Sequence, residues 1–345
     1  MAPTIPATNT RVLRVKNVAG LHAVNESYFS IEQTPKPEVH DGEILVRSLY
    51  IGLDPCPLDQ AVKEPLRGFG VGEVVETKHT QFQVGDIVSG PSLTWDAYSL
   101  QKEPAKTLFI VPNARQLAEQ NKVPLSAYLG ILGMPGLTAW QSFQLYGDLK
   151  AGQTIFVSSA AGGVGQTAVQ YAKLKGLKVI GSAGSDDKVE YLKKTLGIDH
   201  AINYKTQDVK AEIQRLVPEG LDLYFDVVGQ ESLDIALETT KRFGRIITIG
   251  TVSNMNHDGG SPQTPYVHKN LHLIYVKELR IHGLSAFNHF GVFPAFWTET
   301  QSQFAAGLLQ ATEVVEDGLV NVPKTFAKIL DGSYRGKVVI KVADL

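Results

Sequence analysis

The sequence has a single cysteine, Cys56. That excludes an intramolecular disulfide and a four-cysteine structural zinc site. A catalytic zinc would have to be built from Cys56, the nine histidines and carboxylates. His268 and His272 flank Lys269-Asn270-Leu271 just before an expected strand, and they read as loop histidines rather than a helical ligand pair. No uninterrupted apolar run reaches the ~18 residues of a membrane helix. The net charge of −2 leaves no positive field to attract nucleic acid or an anionic membrane. MAPTIPATNT at the start holds no apolar segment of the secretory kind, and the terminal Ala-Asp-Leu differs from the Ser-Lys-Leu peroxisomal address, so a cytoplasmic location is expected. Repeats and low-complexity tracts are absent too.

The 345 residues exceed one ordinary core, and two domains of ~100–200 residues are expected. Residues 11 to about 125 read as short strands with Gly, Pro and Asp at the turns: "EILVRSLYIGLD", "GVGEVVET", "VGDIVSG" and "AYSLQ". This is a β-rich, barrel-like pattern. From Tyr128 onwards strands alternate with helical stretches: "TIFVSS" with a helix over 166–175, "LKVIGSAG" with one over 186–195, then "HAINY", "LDLYFDVVG", "RIITIGTVS" and "ELRIHGLSAF". The alternation predicts a parallel, doubly wound α/β sheet. The closing "GKVVIKVADL" reads as a strand able to return to the first unit.

Between the strand at Thr154–Val157 and the helix after it lies Ala160-x-Gly162-x-x-Gly165. A strand that enters a helix through small residues leaves backbone N–H groups without partners at the positive end of the helix dipole, where a diphosphate satisfies them. An NAD site places an acid at the end of the second strand to hold the ribose 2′-hydroxyl. Here that position is Gly181-Ser182-Ala183-Gly184-Ser185, uncharged throughout. Asp186 and Asp187 follow Ser185 as its N-capped helix's dipole partners. Lys188 comes next, within reach of a 2′-phosphate. The residues favour NADP(H) over NAD(H).

"GMPGLTAW" (133–140), "SAAGGVGQTAVQYAKLKGLKVIGSAGSDDKVEYLKK" (159–194), "INYKT" (202–206), "GRIITIG" (244–250) and "GKVVIKV", with "LDP" (53–55) and Trp95-x-x-Tyr-Ser-Leu earlier, resemble the zinc-independent medium-chain dehydrogenase/reductases. Within them the likeness is to the leukotriene B4 12-hydroxydehydrogenase / prostaglandin reductase / alkenal double-bond reductase branch. The resemblance implies a GroES-like catalytic domain over 1–127, an NADP-binding Rossmann domain over 128–312 and a return to the catalytic domain over 313–345. It implies a homodimer and a small enone or enal as substrate, with Gly68-Phe69-Gly70 where zinc-dependent relatives carry Gly-His-Glu. By the same resemblance Gly162, Gly163, Val164 and Gly165 cradle the pyrophosphate, and Lys188 and Tyr204 hold the 2′-phosphate. Gly250, Thr251, Val252, Ser253 and Asn254 line the nicotinamide, with Leu284, Ser285 and Ala286 opposite and Tyr334 near it.

The departures from the family pattern cluster at the reacting end. Met255 stands where the family has a tyrosine, Tyr334 and Val227 stand where it has asparagines, and Cys56-Pro57 follow "LDP". A thioether donates no proton. Tyr50 and Tyr334 are the possible substitutes, each also readable as a packing aromatic, so no catalytic acid is assigned. Tyr50 and Met255 are the substrate-pocket candidates. Phe287, Phe290, Phe293, Phe296 and Trp297 read as a more apolar pocket, as core or as a dimer interface. The activity expected is NADPH-dependent reduction of a C=C bond conjugated to a carbonyl. A carbonyl or alcohol oxidoreductase and a non-catalytic NADPH-binding protein are the alternatives.

Overall fold

The structure is a computed structural model, and it describes residues 5–17, 24–54, 61–251, 266–311, 313–330 and 333–345. The chain divides into two compact units. The first joins Met1–Met134 to Phe293–Leu345, and the second is Pro135–Val292.

In chain order the first unit supplies β1 (Thr8–Arg14), β2 (Phe29–Pro35), β3 (Ile44–Gly52), β4 (Arg67–Thr77), β5 (Ile87–Thr94), β6 (Tyr98–Gln101) and β7 (Phe109–Ile110). The second unit supplies β8 (Thr154–Val157), β9 (Lys178–Ala183), β10 (His200–Asn203), β11 (Leu221–Asp226), β12 (Thr240–Thr248) and β13 (Arg280–Gly283). The chain then adds β14 (Val314–Asp317) and β15 (Val338–Lys341) to the first unit.

The first unit is β-rich, as its turn-punctuated sequence predicts. Its main sheet runs β14-β15-β3-β4-β5-β7, with β6 also on β3, while β1 and β2 form a separate antiparallel pair. The "GKVVIKV" strand does return: β15 lies antiparallel to β3 and parallel to β14. One core cluster gathers Val12, Phe29, Ile51, Trp95, Phe326 and Ile340 from both ends of the chain. The aromatic run divides. Phe293, Phe296 and Trp297, on the Phe293–Ala305 helix, are buried. Trp297 stacks edge-on to Phe109 and Tyr128, and its Nε1 donates to the Leu132 carbonyl at 2.8 Å. These three rings are core, and they carry the helix into the first unit although the sequence grouped 128–312 together. Phe287 stays exposed.

The second unit is one parallel sheet in the order β10-β9-β8-β11-β12-β13. Helices Gly163–Leu174, Asp186–Lys194, Val209–Leu216 and Glu231–Thr239 connect its successive strands from β8 to β12. The strands run as near-continuous apolar segments, which suits a sheet covered on both faces. Phe156, Ile180, Ile202, Tyr224 and Ile246, one from each of five strands, share a core cluster with Ile213 and Leu237 of the helices. Strand order reverses between β8 and β11. In sheets of this kind ligands bind beyond the carboxyl ends of the strands at such a reversal.

Candidate coenzyme site

The turn after β8 is built to stay open. Ser159 takes a left-handed conformation (φ 49°), and the Ala160 N–H donates to the Ser182 carbonyl at 2.8 Å, tying the turn to β9. Gly162 is the N-cap of the Gly163–Leu174 helix and has no side chain to satisfy the first-turn N–H groups. A Cβ added at Gly163 would meet nothing nearer than Pro135 Cγ at 3.9 Å, whereas one at Gly165 would overlap the Ser159 carbonyl oxygen and lie 2.8 Å from Ala160 Cα. Gly162, Gly163 and Val164 are half-exposed, with open space over Gly163, while Gly165 is packed against the turn. This cradle fits a diphosphate: donors, the positive helix end and room coincide.

The far end of the site is at the tips of β9 and β10. Ser185 caps the Asp186–Lys194 helix, its Oγ accepting from the Lys188 N–H at 3.4 Å, and Asp186 and Asp187 lie exposed in the first turn as expected. Tyr204 follows β10 directly, and its N–H donates to the Ala183 carbonyl at 3.1 Å. Its hydroxyl lies 2.6 Å from where a Gly184 Cβ would be, so that glycine is what lets the phenol lie across the tip of β9. Tyr204 is 53% exposed, a surface residue.

At the strand-order reversal the structure brings together groups that the sequence reading passed over. Asp226, fully buried, ends β11. Ser158 Oγ donates to its Oδ1 at 3.0 Å, Ser232 Oγ donates at 2.8 Å, and the Gly229 N–H donates to Oδ2 at 3.1 Å. Ser158 Oγ accepts in turn from the Val227 N–H at 2.8 Å. A buried carboxylate is tolerable only with such donors, and these cross-tie the ends of β8 and β11. Burial, reinforced by the Asp226 charge, pushes the Tyr224 phenol far above its usual range. The Ile249 N–H donates to the Asp226 carbonyl at 2.9 Å, bringing Gly250 and Thr251 beside Val227 and Gly229. Leu284 hangs from the Thr248 carbonyl at 3.1 Å, with Ser285 exposed and Ala286 buried after it. Val252, Ser253, Asn254 and Met255 lie outside the described residues, as does Cys56. The chain after them is fastened by Asp234: the Tyr266 hydroxyl donates to it at 2.8 Å, and burial together with that carboxylate pushes the phenol up to about 12. His268 Nδ1 lies 3.5 Å from the same carboxylate.

In the first unit, Tyr50 sits half-buried on β3 with its phenol raised by burial, opposed by Lys341. Tyr334 packs its ring on the main core cluster, and its hydroxyl donates to Glu316 at 2.9 Å. Lys337, buried, pairs with Asp54 and donates to the Leu53 carbonyl at 3.1 Å. The sequence reading missed it, and a lysine just ahead of an apolar strand was the signal. Among the described residues no group of three or more His, Cys, Asp or Glu stands placed to hold a metal ion.

Comparisons with known proteins agree with this architecture along most of the chain. Residues 163–302 match the family described as zinc-binding dehydrogenase, and residues 15–111 match the N-terminal domain of oxidoreductase. A 2-alkenal reductase (NADP(+)-dependent) of Nicotiana tabacum is 37% identical, the match covering 90% of this chain and 91% of that protein. Prostaglandin reductase 1 of Mus musculus is 36% identical, over 91% and 93%. Among solved structures, CurA in complex with NADPH from Vibrio vulnificus superposes with a TM-score of 0.82 at 27% identity, covering 97% of this chain and 100% of that one. Sharing more than a third of its residues with two such reductases over nine-tenths of its length, and carrying both the β-rich unit and the parallel sheet, this chain belongs to the zinc-independent medium-chain dehydrogenase/reductases, in the branch that holds the alkenal and prostaglandin reductases.

Proposed function

We propose that the protein is an NADPH-dependent ene-reductase that saturates the C=C bond of an α,β-unsaturated aldehyde or ketone. The observation that carries this reading is the pairing of an open glycine cradle after β8 with an uncharged tip of β9 flanked by Lys188 and Tyr204, in a chain of this family. Gly162, Gly163, Val164 and Gly165 hold the diphosphate. Lys188 gives the 2′-phosphate a charge and Tyr204 gives it a hydroxyl donor. Gly250 and Thr251, with Val252, Ser253 and Asn254 beyond them, and Leu284, Ser285 and Ala286 line the nicotinamide, and Tyr334 is assigned to it on the family position alone. Of the region 128–312 that the sequence groups together, Pro135–Val292 is read as the coenzyme domain, and the unit that joins Met1–Met134 to Phe293–Leu345 as the catalytic one.

When bound, NADPH would supply the hydride for the β-carbon. The negative charge that then develops on the carbonyl oxygen needs donors, and one such donor is worth about 3–4 kcal/mol of barrier. With Met255 at the family tyrosine's position and the Tyr334 hydroxyl donated to Glu316, the chain's backbone N–H groups are the donors proposed, and water protonates the α-carbon. Following NADPH absorbance with trans-2-alkenals and aryl enones, then identifying the product, tests this. The saturated aldehyde or ketone is the expected product. An allylic alcohol would replace this reading with carbonyl reduction, and coenzyme binding without turnover across the panel would leave a non-catalytic binder.

The same reading makes the protein a cytosolic homodimer. Strand β13 ends the parallel sheet at one edge, and Val267, Tyr275 and Val276, exposed by 76, 75 and 54%, precede it in the chain. A strand that among the described residues has a neighbour on one side only, and exposed apolar side chains, each favour pairing with a second copy. Sedimentation at micromolar concentration should return twice the 37.6 kDa chain mass; a monomer at that concentration would remove the assignment.

A further inference from the structure

We propose that Asn203 is a positioning residue for coenzyme choice, an inference that rests on the NADPH reading above. Its amide holds the Asp186 carboxylate away from the ribose and so keeps the tip of β9 free for a phosphate.

Asp186 is the first carboxylate after β9 and lies close to where an NAD-type site carries its acid. Left to itself, an exposed aspartate at the start of a helix samples several rotamers. One that faced the adenosine ribose would accept its 2′-hydroxyl and repel a 2′-phosphate. In this chain the side chain is held: Asn203 Nδ2 donates to Asp186 Oδ1 at 2.7 Å. Asn203 is buried, 5% exposed, at the end of β10.

The amide's own orientation is fixed by its other bonds. Asn203 Oδ1 accepts from the Lys205 N–H at 3.1 Å, and turning the amide over would face two oxygens at each other and two N–H donors at each other. The Asn203 N–H donates to Gln207 Oε1 at 3.0 Å, and the Asn203 carbonyl accepts from the Gln207 N–H at 2.9 Å. One buried side chain therefore shapes the turn that presents Tyr204 and also restrains the acid that would oppose Lys188.

The two roles separate by substitution. Asn203→Ser keeps a short oxygen able to accept from the Lys205 N–H, as serine does in such turns, but it cannot reach Asp186. Dissociation constants for NADPH and NADH, measured by calorimetry on the full chain, are compared among the wild type, N203S, D186A and the double variant. In the wild type NADPH should bind the tighter; equal affinities there would sink the coenzyme reading and this inference with it, whereas a wild-type preference that N203S leaves unchanged would sink this inference alone. In N203S the NADPH/NADH preference should fall about tenfold, a change of ~1.4 kcal/mol. Adding D186A should restore it to within about threefold of D186A alone, the non-additivity expected of contacting residues. A preference unchanged in N203S, or a loss that D186A does not restore, would overturn the proposal. Were N203S not to fold, Asn203→Asp, which keeps an acceptor for the Lys205 N–H and loses the donor to Asp186, reads the same coupling in the same cycle.

Discussion

Gly165→Ala should destroy coenzyme binding and lower the thermal unfolding midpoint by about 10 °C. The added methyl would overlap the Ser159 carbonyl and sit 2.8 Å from Ala160 Cα, and neither is the end of a flexible side chain that can move aside. Forcing atoms into a packed contact of this kind costs about 3 kcal/mol or more, and each kcal/mol is worth roughly 2–4 °C in a unit of this size. Gly163→Ala is the control, because its methyl would have free space to 3.9 Å. It should melt within about 2 °C of the wild type yet bind NADPH more weakly, since the methyl enters the room that the diphosphate needs. Calorimetric melting and NADPH titration read both variants. A Gly165→Ala protein that binds like the wild type, or a Gly163→Ala protein that binds NADPH undiminished, would show that the cradle is not where the diphosphate lies.

Lys188→Ala should raise the Michaelis constant for NADPH by about tenfold to a hundredfold and leave that for NADH within about twofold. A hydrogen bond to a doubly charged phosphate contributes about 1.5–3 kcal/mol, and NADH has no phosphate there to lose it. The lysine is half-exposed on the helix that Ser185 caps, so the penalty should shrink as salt screens the pair. Steady-state kinetics with each coenzyme at two ionic strengths decide the matter. Equal effects on NADPH and NADH would remove Lys188 from the phosphate and assign it to the helix alone.

Much of the second unit is legible in the sequence because its signals are local. The apolar runs at 154–157, 178–183 and 221–226 become β8, β9 and β11, and Ser185 caps its helix as its position ahead of two acids predicts. The first helix begins at Gly163, ahead of the expected Gln166, because Gly162 can stand as an N-cap without a side-chain acceptor. What the sequence hid are partnerships made across the sheet. Asp226 reads as the end of an apolar strand, and only the fold supplies Ser158, 68 residues away, to donate to it. Asn203 reads as one more residue of the "HAINY" strand until Asp186 is brought within 2.7 Å. The aromatic run reads equally as pocket, core or dimer interface, and the fold divides it: three of its rings are core of the first unit while Phe287 faces solvent. The residues at the reacting end cannot be read from pattern at all, since Met255 and Tyr334 are departures and a departure carries no periodicity.

The insertion of β15 between β14 and β3 sets an order of events during synthesis. Pro135–Val292 is continuous and has everything its own sheet needs once β13 has left the ribosome. The unit whose strands come first must hold Ile51 and Trp95 without Phe326 and Ile340, their partners in the same cluster, until Val338–Lys341 has been made. The segment translated earliest is therefore completed last, and it is the one that chaperones would meet with its apolar side uncovered.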